Sequence, residues 1–517
     1  MLTFALTARA RTLVFCSEAN PQTFNPQLAT DGATFNASSR QIYNRLVEMD
    51  NKTMRVIPSL ARSWETSPDG KTVTIHLRAG IKFQKTAYFT PTRNFDADDV
   101  IFTFDRMRSP KNPFHFIGGG QYPDYEADQM PELIKNIEKV DDLTVRFELT
   151  QPEAPFLADL AMDFASVLSK EYADQLIREK KLKNIDILPV GTGPFIFKSY
   201  EKGRYIRYVA NPDYFGGPPK IDNLEFLIET NPATGLRDLM RGRCQIDSNF
   251  PPQTISQIRK NPKLKVMATP GLNLSYLAFN VERMPYANMK FRQAVYYALN
   301  RAKYVKEIYD GQAEVAKNPI PPTMWSFDRA TPDYRYNPEK AKELLREIGI
   351  PNGFQVTLTC PNVSRPYNPN PVKMAKLIKA DLARIGLKVK IRALDWHTFL
   401  KRAHAGEMAF SLQGWTGDNG DPDNFLNSLL SCDSILSGNN RAHWCNREFS
   451  FLVDRARVTS NVRVRTRFYK KAQKIFHQEI PWVPIANNTI FKALRKNVMG
   501  YQVSPFGVDN FANVYIK

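Results

Sequence analysis

Two segments of the chain carry residue types suited to gripping a small charged molecule. Gly414-Trp415-Thr416-Gly417-Asp418-Asn419-Gly420-Asp421-Pro422-Asp423-Asn424 is a glycine-rich acidic loop with one tryptophan. Asn-Gly and Asp-Pro pairs build turns, so a binding role requires Trp415 to wall a cavity and one carboxylate to face it. The acidic spacing and the missing terminal glutamate do not fit a calcium loop. The second segment is Arg365-Pro366-Tyr367-Asn368-Pro369. Pro366 pushes Arg365 into an extended backbone, so its guanidinium projects from a strand end. Such a group recognises a carboxylate through two parallel hydrogen bonds.

Catalytic patterns are missing from the sequence. It contains no G-x-S-x-G, no H-E-x-x-H and no G-x-G-x-x-G after a strand. Gly70-Lys71-Thr72 imitates the end of a phosphate-binding loop, but glutamate stands at position 65 where that loop needs glycine. His397 and His404 share a helix face two turns apart, poor geometry for one metal. Cys360 ends an apolar strand with no basic neighbour to activate it, so it reads as an inert buried thiol. Cys432, His443 and Cys445 lack a fourth metal ligand at suitable spacing, and a disulfide is the better reading of these cysteines. The five cysteines form no C-x-x-C.

The elements that position these residues follow from periodicity. Trp64 to Lys71 is a turn, and Thr72 to Leu77 alternates as a strand. Asp96 caps a helix whose first turn holds Asp98 and Asp99. Met289 to Asp310 reads as one strongly helical stretch. Asn337 and Pro338 start another helix, running to Ile348. Phe354 to Thr359 is a strand, Asn370 and Pro371 open a helix closed by Gly386, and Leu387 to Ile391 is again a strand. That succession indicates an α/β lobe. No repeat of 20–50 residues appears, and no long flexible linker divides the 517 residues, so domain crossings are short, as in a hinge.

Length alone implies about three structural units at roughly 150 residues each. Hydrophobic residues at 43% and charged residues at 24% exclude a disordered or fibrous chain. No uncharged apolar stretch is long enough for a membrane-spanning helix; the most apolar candidate, Ala154 to Leu168, is interrupted by Asp159 and Asp163. The net charge of +19 raises the question of an anionic partner. Its densest run, Arg455 to Lys474, has apolar residues at near-helical spacing and reads as a solvated outer helix face. No nucleic-acid signature accompanies it. Residues 1–10 end in Ala8-Arg9-Ala10 and read as the tail of an export signal. Phe15 before Cys16 is too large for a lipoprotein anchor. A soluble exported protein follows, in a compartment that permits disulfides.

The chain resembles the periplasmic solute-binding proteins of peptide ABC importers, in the dipeptide, haem and antimicrobial-peptide-resistance branch. The resemblance rests on PSLARSWETSPDGKTVTIHLRAGIKF (58–83), NFDADDVIFTFDR (94–106), PEAPFLADLAMDFASVLSKEYAD (152–174), PVGTGPF (189–195), RQAVYYALN (292–300), RPYNPN (365–370) and GWTGDNGDPDNF (414–425). It implies an α/β, two-lobed clam fold (type II, cluster C) with an extra subdomain in the first lobe. The implied first lobe is 11–270 plus 489–517, with the subdomain at about 45–190, and the second is 271–488. Crossings near 270 and 488 would form the hinge. The implied disulfides are Cys16–Cys244 and Cys432–Cys445, leaving Cys360 free.

The resemblance also implies a role for each site residue. Asp418 would hold a peptide's ammonium and Arg365 its carboxylate. Trp415, Thr416, Gly417 and Tyr367 would line the cleft, and Thr30 and Gly32 would meet the ligand from the other lobe. The implied protein is a periplasmic, monomeric, non-enzymatic receptor without cofactor or metal. It would bind dipeptides or short peptides and dock on an inner-membrane permease, with no nucleic-acid partner. Haem, glutathione or a cationic antimicrobial peptide is the alternative ligand. Ser504-Pro505-Phe506-Gly507 and the basic charge resemble the antimicrobial-peptide-resistance branch, whereas Arg365 favours a ligand with a free carboxylate.

Overall fold

The computed structural model describes residues 10–517. The segment read as an export remnant lies outside them, apart from Ala10. Twelve strands form one extended sheet, and four more, Ala61–Thr66, Thr72–Leu77, Thr144–Leu149 and Ile134–Asp141, form a separate antiparallel sheet in that order. In this smaller sheet Val73, Ile75 and Leu77 alternate inward, as the sequence pattern requires. The helix Ala97–Arg108 packs on it. Its start is fixed by a reciprocal cap between Asp96 and Asp99.

One strand organises the large sheet. Trp482–Arg495 runs for 14 residues and changes partners midway. Its first part, 482–488, pairs with Asn273–Phe279 and Ala313–Val315. Its second part, 489–495, pairs with Leu264–Pro270, and 493–494 also with Ile246–Asp247. Buried apolar residues divide at the same point. One core gathers Phe15, Phe226, Ile246, Leu494 and Phe511 with the apolar residues of 42–228. The others gather Leu277, Leu358, Ile378 and Val483, and Tyr276, Phe425, Tyr469 and Trp482. Trp482 is fully buried and stacks on Tyr276 at 4.0 Å between ring centroids.

Polar side chains staple the place where the chain passes between these cores. Buried Asn273 accepts from the Asn488 N–H at 2.7 Å and donates to the Asn488 carbonyl at 3.0 Å. Asn487 donates to the Asn273 carbonyl at 2.8 Å. Asparagine supplies both donor and acceptor, so one side chain closes both backbone groups of Asn488.

Three local expectations need revision. The turn expected over Trp64 to Lys71 begins only after Thr66, because Trp64, Glu65 and Thr66 pair with Ile75, Thr74 and Val73 as the end of the strand Ala61–Thr66. The single helix expected over Met289 to Asp310 is two, Met289–Ala298 and Arg301–Tyr309. Asn300 breaks it by capping the Lys303 N–H at 3.1 Å, a local bond that competes with helix continuation. The basic run is not uniformly solvated either. Arg465, on the helix Val462–Glu479, is buried in a two-bond pair with Asp421, and Arg457 reaches Glu153 at 2.7 Å. Periodicity located the helix but not the carboxylates that other segments bring to it. Cys16 is bonded to Cys244 and Cys432 to Cys445, and Cys360 is free and buried.

Candidate functional site

The acidic loop leaves the strand Phe410–Thr416, which pairs residue by residue with Asn273–Phe279, so Thr416 lies opposite the stapling residue Asn273. Gly417 continues the contact, its N–H reaching the Leu272 carbonyl at 2.7 Å. A Cβ at Gly417 would fall 2.7 Å from the side chains of Leu272 and Phe425, so glycine is required for this approach. Asn424 then folds back. Its Oδ1 accepts from Trp415 Nε1 at 3.0 Å and from the Asp418 N–H at 3.1 Å, and its Nδ2 donates to Asp418 Oδ2 at 3.3 Å. One asparagine therefore fixes both the indole and the carboxylate.

Asp418 is exposed to solvent, yet protein carboxylates surround it. Its carboxyl is pushed up to about 7, chiefly by loss of bulk water, with Asp163 adding to the rise and the Asn424 bond opposing it. The residue keeps a solvent-exposed surface while protein packed around its carboxyl raises its value. Asp124 and Asp128, half-buried on a facing segment, are also raised, by burial first and then by Asp418. Asp163 is neutralised by Arg40 at 2.7 Å and Arg45 at 3.4 Å. Among the described residues, no lysine or arginine pairs with Asp418.

Arg365 presents the opposite case. The turn 365–368 closes on itself through reciprocal backbone bonds, and Asn488 donates to the Pro366 carbonyl at 2.7 Å. The Arg365 guanidinium lies 3.6 Å above the Trp396 ring, and its buried Nε has no hydrogen-bond partner. No carboxylate pairs with Arg365 among the described residues. Tyr367 is buried, its ring packed where a Cβ at position 414 would lie only 2.1 Å away. Gly414 thus lets the arginine turn seat against the strand that ends beside Asp418. The two segments singled out in the sequence are brought together, and both are tied to the stapled crossing.

Thr30 and Gly32 are exposed at the start of the helix Gly32–Ala37, which Asp31 caps. No hydrogen bond joins either to the acidic loop among the described residues. Their segment approaches it through Ser39 and Arg40, both bonded to Asp163. Sequence reasoning gave no role to Asn424, Asn273 or Asn488, nor to the carboxylates Asp124, Asp128, Glu153 and Asp159. A signal for the last two was present, since acids standing in or beside an apolar run are buried when it folds. Asn419 Nδ2 meets Asp159 Oδ1 at 2.7 Å across 260 residues of sequence.

Cys360 contributes nothing to this site. Burial pushes its thiol up to about 11. A thiol reagent at pH 8 is expected to leave it unmodified in the native protein and to label it after unfolding in urea. Labelling of the native protein at a free-cysteine rate would contradict its burial.

Comparison with known proteins agrees with this architecture. The family of bacterial extracellular solute-binding proteins, family 5 (middle), matches residues 55–437. The chain is 46% identical to a dipeptide-binding protein of Escherichia coli, over 100% of this chain and 96% of that one. It is 43% identical to the haem-binding protein A of Haemophilus influenzae, over 99% and 94%. The crystal structure of a Pseudoalteromonas dipeptide-binding protein in complex with Met-Leu superposes with a TM-score of 0.89 at 40% identity, covering 98% of this chain and 100% of that one. With its two-lobed α/β architecture, the chain belongs to the bacterial extracellular solute-binding proteins of family 5.

Proposed function

We propose that this protein is the substrate-binding component of an ABC importer, capturing dipeptides or short peptides between two closing lobes. The observation that carries this reading is a pair of opposite charges with no oppositely charged partner among the described residues. Among the described residues no cation pairs with Asp418 and no carboxylate with Arg365, and both sit on segments fastened to the same crossing. A zwitterion is the guest that satisfies both, because an unpaired buried charge is costly. Asp418 would take the peptide ammonium and Arg365 its carboxylate. Trp415, Thr416, Gly417 and Tyr367 would form the cleft wall, with Thr30 and Gly32 opposite. Water in side-chain pockets would allow varied sequences.

The lobes in this reading are 11–270 plus 489–517, with a subdomain at about 45–190, and 271–488. The partner change of the strand Trp482–Arg495 and the division of the cores support that partition. Ligand would shift an open–closed equilibrium, and the closed form would dock as a monomer on an inner-membrane permease. The setting is the periplasm of a Gram-negative bacterium, and the protein performs no catalysis.

Calorimetry with Met-Leu, its N-acetyl form and its C-terminal amide tests the reading. Either blocked form is expected to bind about a hundredfold or more weakly, since each leaves one buried charge unpaired. Equal affinity for all three would overturn it. The 43% identity to a haem-binding protein favours haem as a second reading. A Soret shift on haem titration, with no heat from dipeptides, would select it.

A further inference from the structure

Close to Asp418 lies a small polar pocket with an excess of negative charge. Asp128, Glu153, Asp159, Asp423, Asn424 and Arg457 are among its walls. It shares Asn424 with the site above, so it begins one side chain away from Asp418. Four carboxylates line it and one arginine answers them. Arg457 donates to Glu153 Oε1 at 2.7 Å and to Gln129 at 3.2 Å. The nearby Arg465 is committed to Asp421.

Two carboxylate oxygens remain without partners. Glu153 is 7% exposed, and its Oε2 is buried with no hydrogen bond. Asp128 Oδ2 is in the same condition. A buried carboxylate oxygen left unsatisfied is expensive, and burial pushes the Glu153 carboxyl up to about 8, against the pull of Arg457. Among the described residues, no group of three or more His, Cys, Asp or Glu is arranged to hold a metal ion. A compact cation or hydrogen-bond donor entering the pocket would give these two oxygens a partner. The free space is about 20 Å³, room for one water-sized group. That suits a compact ammonium better than a planar guanidinium.

We propose that this pocket receives the side-chain ammonium of a lysine at the first position of a bound peptide, so that the protein prefers such peptides. The inference rests on the reading of Asp418 as the holder of the α-ammonium. Asn424 borders both the Asp418 carboxylate and the pocket, so a flexible four-carbon stem anchored at the first would have the second within its reach.

Calorimetry with lysyl-leucine and norleucyl-leucine, which share nearly the same stem but differ in charge, is the test. Wild type is expected to bind lysyl-leucine about 10- to 100-fold more tightly, the range of a hydrogen bond to a charged group. Glu153→Gln, which keeps a partner for Arg457, is expected to shrink that ratio while norleucyl-leucine binds as before, and Asp128→Asn is expected to shrink it whatever its effect on both peptides through Asp418. Circular dichroism checks that each variant is folded, and either one suffices for the comparison. A ratio near one in wild type, or a ratio untouched by both substitutions, overturns the lysine pocket while leaving the dipeptide reading intact. If neither peptide binds wild type, the Asp418 reading fails, and the pocket proposal fails with it.

Discussion

Asp418→Ala is expected to weaken dipeptide binding by roughly 10²–10³-fold without lowering the stability of the empty protein. The loss follows from stranding the peptide ammonium once closure excludes bulk water, a cost at the lower part of the range of about 3–5 kcal/mol. Stability is spared because Asp418 is surrounded by acids. Its charge raises the neighbouring Asp124 and Asp128, so removing it relieves repulsion. A variant that loses binding together with its fold would contradict this account. Arg365→Ala should produce a comparable loss through the other end of the peptide.

The same residue predicts a pH dependence. In the folded, empty protein the Asp418 carboxyl sits at about 7, above the ordinary 3.8. The folded state therefore holds a proton that the unfolded state has released between those values. The contribution of this group to stability is present below about 3.8 and is lost as pH rises through 7. A bound ammonium restores the carboxylate and expels the proton. Affinity for a dipeptide should accordingly rise with pH up to about 7 and fall again above about 8, where the peptide's own ammonium loses its proton. At pH 6, the measured heat should change between buffers of different ionisation enthalpy. Asp418→Asn should abolish that buffer dependence, and its persistence in the variant would assign the proton to another group.

Arg465→Ala carries the second large effect, this time on stability. The guanidinium forms two 2.8 Å bonds with Asp421, donates to the Ala456 carbonyl at 2.9 Å and to Tyr469 at 3.0 Å, and lies 5.4 Å from the Trp325 ring. Side-chain exposures are 5% for Arg465 and 8% for Asp421. Removing the arginine leaves Asp421 buried and uncompensated, at about 3–5 kcal/mol. Asp421 also accepts the Asp423 N–H at 3.0 Å, so the acidic loop should loosen and dipeptide affinity should fall as well. Urea unfolding followed by tryptophan fluorescence provides the measurement. Arg463→Ala, an exposed neighbour on the same helix, should stay within about 0.5 kcal/mol of wild type. Replacing both partners, Arg465→Met with Asp421→Leu, should recover much of the loss, because an apolar pair leaves no charge stranded. Equal behaviour of the Arg465 and Arg463 single variants would refute the buried pair.

Local chemistry was legible from the chain itself. Asn337 and Asn370 each announce a helix by spacing and proline placement, and both cap one here. Thr72–Leu77 alternates because one face of its sheet is buried. The loop around Trp415 and the turn at Arg365 stood out because glycine, proline and charge are concentrated there. What could not be read was every partnership across long sequence separations. Arg465 looks solvated on its own helix and is buried because Asp421, Ala456 and Trp325 close around it.

The sequence by itself determined the elements, their caps and the two charged segments, because these depend on neighbours within a few positions. The tertiary structure alone decided that Asp418 and Arg365 lack oppositely charged partners among the described residues, that Asn424 holds the first and the Asn488-bound turn carries the second, and that Glu153 and Asp128 each keep one oxygen without a partner there. A charge has a fixed sign in the sequence, but its hydration and its partners exist only after distant segments have packed around it.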